Sequence, residues 1–231
     1  MIQAPQIQEY FQQYADKYPR WARVGVREGD IIHLNWHANG MKLRVDDVNL
    51  DEKFWPQEEG LDPQEAFDRF LMNLSRGLGP RGMDTELFPP KSGSEPEQIQ
   101  PLSMAVDRRK GECVEKAVIA IMLTQRWYMS MAITGLLGHD RRRQKWNHAW
   151  SLLFPQQGSP HLLDIENPVI VTRDGVRQEV PYLVPVTAYD EDARRFVIPD
   201  RWREGKIFET YDTAIYDGQN PTRRFSMMDM F

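Results

Sequence analysis

The feature that most restricts this chain is the run Ala117-Val118-Ile119-Ala120-Ile121-Met122-Leu123. Residues 113–125 around it contain neither glycine nor proline and are rich in helix formers. A helix that is apolar on every side has no face to offer water, so this one reads as running through the middle of a domain. Gly111 marks a break just before it. With 231 residues, 41% of them apolar, the chain can bury one substantial core around such a helix.

Cys113 is the only cysteine, and it opens this helix. The first helical turn carries unbonded backbone N–H groups and the positive end of the dipole, which favour a thiolate. The expectation is a thiol lowered from about 8.5 toward roughly 3.5–7.5. A lone intracellular cysteine is more often a small buried hydrophobe. The residues downstream turn the reading toward chemistry: His148 in Asn147-His148-Ala149-Trp150, then Asp164 in Leu162-Leu163-Asp164. Thiol, imidazole and carboxylate supply an attacking atom, a base and a group that orients the base.

Residues 147–154 alternate loosely and are aromatic-rich, which predicts a strand. Pro155-Gln156-Gln157-Gly158-Ser159-Pro160 predicts a turn, and residues 161–165 the returning strand. The loop midpoint leaves Asp164 a few residues out of opposition to His148. Contact between them therefore needs an offset register or a bulge.

Gly111-Glu112-Cys113, His148-Ala149-Trp150 and Leu162-Leu163-Asp164-Ile165-Glu166-Asn167-Pro168 together resemble the transglutaminase-like superfamily of papain-type cysteine enzymes. Cys113 precedes His148 by 35 residues and His148 precedes Asp164 by 16, within the spacings of that family, and the likeness spans roughly residues 102–171. The resemblance implies an α+β, papain-like core with the nucleophile helix packed on an antiparallel sheet. It makes Cys113 the nucleophile, His148 the general base and Asp164 the orienting carboxylate. The reaction would pass through a thioester formed on a protein or peptide amide. Water as acceptor gives a protease, amidase or deamidase; an amine gives a transglutaminase or another acyltransferase. The backbone N–H of Cys113 is the natural first oxyanion donor, with Gln98, Gln100 and Trp127 as side-chain candidates for a second. An arylamine N-acetyltransferase-like enzyme with the same triad, and a catalytically silent interaction module, are the competing readings.

The proposed chemistry needs no metal or organic cofactor, and no acidic loop for calcium is evident. One cysteine excludes a disulfide within the chain and zinc sites built on Cys-x-x-Cys pairs. A net charge of −5 disfavours specific nucleic-acid binding. The basic run Arg141-Arg142-Arg143-Gln144-Lys145 reads as a solvated loop bordering the site, or as an attractor of acidic substrates. There is no apolar stretch of about 18 residues and no basic-then-apolar start, so neither a membrane span nor a Sec signal is expected. The cytoplasm is the simplest location, with export by another route left open.

The N-terminal residues 1–79 read as an extension packed on a catalytic core of 80–231, the whole forming one unit. An amphipathic helix is expected over 6–18 through Ile7, Tyr10, Phe11 and Tyr14, then short strands at 24–26, 31–36 and 42–45. Asn39-Gly40 marks a hairpin, and His33 and His37 read as structural or surface residues. Asp62 and Pro63 predict the start of a second helix burying Ala66, Phe67, Phe70, Leu71 and Leu74. Residues 80–101 read as either a cover over the cleft or a connector. Further strands are expected at 169–172, 182–188 and 195–199, followed by a tail ending in Met227, Met228 and Met230.

Overall fold

The apolar run is a buried helix lying across a large sheet. The computed structural model describes residues 1–32, 42–46, 53–55, 60–78, 99–109, 111–173 and 175–211. In chain order it holds β1 (Ile2–Gln3), α1 (Ala4–Lys17), β2 (Ala22–Val24), β3 (Ile31–Ile32), β4 (Lys42–Arg44), α2 (Pro63–Gly77), β5 (Ile99–Pro101), α3 (Leu102–Asp107) and α4 (Cys113–Thr124). There follow β6 (Met129–His139), β7 (Arg142–Phe154), β8 (His161–Arg173), β9 (Val176–Pro185), β10 (Ala188–Asp190), β11 (Arg195–Val197), α5 (Asp200–Arg203) and β12 (Lys206–Thr210). The class is α+β.

The main sheet has nine strands in the order β1-β10-β11-β12-β6-β7-β8-β9, with β2 pairing β6 beyond the end of β12. Its pairings are all antiparallel. A small sheet, β3-β4-β5, includes one parallel pair. Alternation along β7 sends Ala149 and Leu153 into one core and Trp150, Leu152 and Phe154 into the other. Helices α2, α3 and α4 cover the first face. Helix α1 covers the second, where Phe11 packs edge-on to Tyr189 and stacks on Phe196.

All of α4 except Met122 is buried, including Glu115 and Lys116. Each buried Val or Ile contributes about 1.5–3 kcal/mol by leaving water, which is what holds the helix on the sheet. Ser151 of β7 donates its hydroxyl to the Ala117 carbonyl at 3.2 Å, fixing where along the strand the helix sits.

The N-terminal elements are where periodicity places them: Ile7, Phe11 and Tyr14 are buried on α1. The Asp62 carboxylate accepts from the Glu65 N–H at 3.1 Å and caps α2. Strands β1 and β2 belong to the main sheet, so the first residues are part of the core layer rather than an appendage. Asn39-Gly40, His33, His37, most of the 80–101 segment and the methionine-rich tail lie outside the described residues.

Two departures share one cause. Residues 129–139 form β6, which the sequence reading did not include, and the basic run is the start of β7 rather than a loop. Two glycines hide the strand in composition, but Gly135 is required by packing. A Cβ there would meet the Glu209 carbonyl oxygen at 2.1 Å and the Trp150 ring at 2.6 Å. Gly135→Ala is expected to push β12 off β6 and destabilise the protein by about 3 kcal/mol in a denaturant titration. Lys145 of the basic run is held by Glu209 at 2.6 Å.

Candidate active site

Adjacent strands deliver the histidine and the carboxylate. The β7–β8 ladder runs Leu153↔His161, Leu152↔Leu162, Ser151↔Leu163, and the register records no pair beyond it. Continued, it would set Asp164 opposite Trp150 and leave His148 two residues away. Strand β8 bulges instead: Ile165, Glu166, Asn167 and Pro168 stand against Pro181 alone on β9. Proline suits a bulge because it has no N–H to leave unpaired.

Within that bulge His148 Nε2 lies 2.9 Å from Asp164 Oδ2, the two side chains 2% and 1% exposed. Asp164 Oδ1 accepts the N–H groups of Glu166 and Asn167 at 3.0 and 3.2 Å. The Asn167 amide nitrogen donates to Oδ2 at 3.0 Å and sits 3.1 Å from His148 Nε2. Burial works to raise the Asp164 carboxyl. His148 beside it and hydrogen bonds from His148 and Asn167 outweigh burial and hold it below the usual range. An ionised Asp164 takes the Nε2 proton as its hydrogen bond, which leaves the lone pair of neutral His148 on Nδ1.

Cys113 is the first residue of α4 and is 6% exposed. Its sulfur is hydrogen-bonded by the N–H of Ala149, one residue along β7 from His148, and not by the imidazole. The thiol departs from the sequence expectation. Burial pushes it well above the ordinary value, and Glu112, Glu115 and Glu166 push the same way; the Ala149 N–H opposes them only in part. Magnitudes explain the reversal. A helix terminus is worth about 0.3–1 kcal/mol, less than one pKa unit, whereas full burial moves a group by several.

Three charged groups of α4 and the bulge escaped the sequence reading. Glu115 is 0% exposed and accepts the Glu112 N–H at 3.1 Å through one oxygen. Its other oxygen, Oε1, is buried without a partner. Burial chiefly raises its pKa to about 7. Lys116 Nζ and the Glu166 carboxylate form an ion pair, 4% and 6% exposed, that joins α4 to the bulge. A sequence signal for Asn167 existed: an aspartate followed closely by asparagine and proline favours a tight side-chain-to-backbone turn.

The oxyanion candidates separate. The Cys113 N–H belongs to the first turn of α4, whose amides have no partner within the helix. Trp127 follows the far end of α4, about 18 Å along the axis from Cys113, and cannot serve. Gln100 pairs with Leu43 in the small sheet, and Gln98 lies outside the described residues. Among the described residues no cluster of three or more His, Cys, Asp or Glu side chains is arranged to hold a metal, and no helix is long and apolar enough to cross a membrane. Comparison with protein-family models, with curated proteins and with solved structures found no match to this chain.

Proposed function

We propose that this protein is a cysteine-dependent acyl-transfer enzyme of the transglutaminase-like kind, acting on a protein or peptide amide. The observation that carries the reading is the buried His148–Asp164 pair at 2.9 Å, one residue along β7 from the amide that bonds the Cys113 sulfur. In the reaction His148 Nδ1 takes the thiol proton and the sulfur attacks the amide carbonyl carbon. The carbonyl oxygen becomes an oxyanion facing the N–H of Cys113. The C–N bond then breaks as His148 returns the proton to the departing amine, leaving a thioester. Water or a second amine, deprotonated by His148, attacks the thioester and regenerates the thiol. Asp164 holds the ring and balances the positive charge it carries in transit.

A silent interaction module is favoured by one observation: the thiol is buried and its pKa is pushed well up. Incubation with p-nitrophenyl acetate, acid quenching and intact-mass analysis separates the two. The enzyme reading expects one acetyl group on Cys113, absent in Cys113→Ser and in His148→Ala, and cleared faster when glycine methyl ester is added if amines are acceptors. An unmodified wild-type protein at every pH from 6 to 10 refutes the enzyme.

A further inference from the structure

Nothing in the strand ladder fixes Asp164 relative to His148, because the recorded β7–β8 pairing ends at Ser151↔Leu163. Asp164 is held instead by the bulge, through the N–H groups of Glu166 and Asn167 and the Asn167 amide. The bulge in turn is fastened to α4 by Lys116 and Glu166. Lys116 lies three residues after Cys113, on the same side of the helix. One connected path therefore runs from the nucleophile's helix turn through Lys116 and Glu166 to Asp164, Asn167 and His148.

From this path we infer that the Lys116–Glu166 ion pair is a positioning device, which sets the His148–Asp164 pair against Cys113. The inference rests on the catalytic reading for its purpose but not for its geometry. Stability is a poor reason for such a pair. Desolvating two charges costs about what their attraction returns, and apolar replacements of similar size are often neutral or better. What an ion pair offers over apolar packing is one specific arrangement. Here it joins the only two structural units whose separation sets the distance from thiol to imidazole. Its lysine also offsets the Glu166 charge, which bears on the Cys113 sulfur.

The test uses the full chain and the double variant Lys116→Met/Glu166→Gln, which removes both charges together and so leaves no orphan in the core. The first readout is the downfield proton resonance of His148 Nε2–H bonded to Asp164, assigned by its loss in His148→Ala. The second is the rate of Cys113 acetylation by p-nitrophenyl acetate. We expect native circular dichroism, a shifted or broadened resonance, and acetylation about a hundredfold slower, the usual cost of about 1 Å of misplacement. The exchanged variant Lys116→Glu/Glu166→Lys should restore both readouts in part. A double variant that folds with the wild-type resonance and rate overturns the positioning role. Failure of the catalytic reading looks different: a wild-type protein that shows the resonance yet never accepts the acetyl group. In that case the resonance alone decides the positioning claim.

Discussion

Replacing His148 by alanine is expected to slow acylation of Cys113 by about 10²–10⁴-fold, the contribution of a positioned base. The effect should be largest below pH 8. Burial and the three nearby glutamates keep the thiol protonated there, so little thiolate forms without a base to take the proton. The pH profile of iodoacetamide labelling is the cleanest check. Wild-type protein should label slowly at neutral pH and rise steeply at alkaline pH; His148→Ala should be slower still at neutral pH and converge with wild type above the thiol pKa. Equal neutral rates in the two proteins would mean that imidazole and thiol do not communicate. The variant also loses stability, since Asp164 is left buried with one donor fewer, a loss of about 1–3 kcal/mol. That loss belongs to the ionised carboxylate. The folded pKa of Asp164 lies below its unfolded value, so the stabilisation is present above about pH 4 and disappears as pH falls through the lower folded value.

The second large effect runs the other way. Glu115→Gln is expected to stabilise the protein at pH 8 and to speed Cys113 labelling. The carboxyl is fully buried, one of its oxygens has no partner, and burial lifts it to about 7. Its folded pKa lies above the unfolded value of about 4.3, so the folded state holds the proton more tightly. Stability from this group is complete below about pH 4 and falls as pH rises toward 7, by on the order of 3 kcal/mol in all. Glutamine keeps an acceptor for the Glu112 N–H and removes the charge. The melting temperature of the variant should exceed that of wild type at pH 8 and match it at pH 4. Removing a negative charge near the sulfur also lowers the thiol pKa, since Glu115 is among the groups raising it. A variant less stable than wild type at pH 8 would show that the carboxylate is satisfied and structural.

How much of this was legible in the chain follows from the range of each interaction. Helix α4 was readable because all-round apolarity within a dozen residues leaves one solution, and α1 and α2 were readable from their burial periods. The β7–β8 hairpin was readable from its turn, down to the need for an offset. Strand β6 was not. Its glycines are dictated by Glu209 and Trp150, which come 74 and 15 residues after Gly135. The basic run was misread for a related reason: Lys145 is matched by Glu209 on β12, a neighbour that local charge counting cannot supply.

By itself, then, the sequence determined the class of fold, the central helix with its cysteine, and the order thiol, imidazole, carboxylate, because these depend on neighbours within a turn or a hairpin. Only the tertiary structure decided how the carboxylate reaches the imidazole, through a four-residue bulge against Pro181. It also decided the protonation of the thiol. The helix-end effect that a local reading can see is short-ranged and small. Desolvation and the charges of Glu112, Glu115 and Glu166 are larger, and they depend on which residues folding brings together around Cys113.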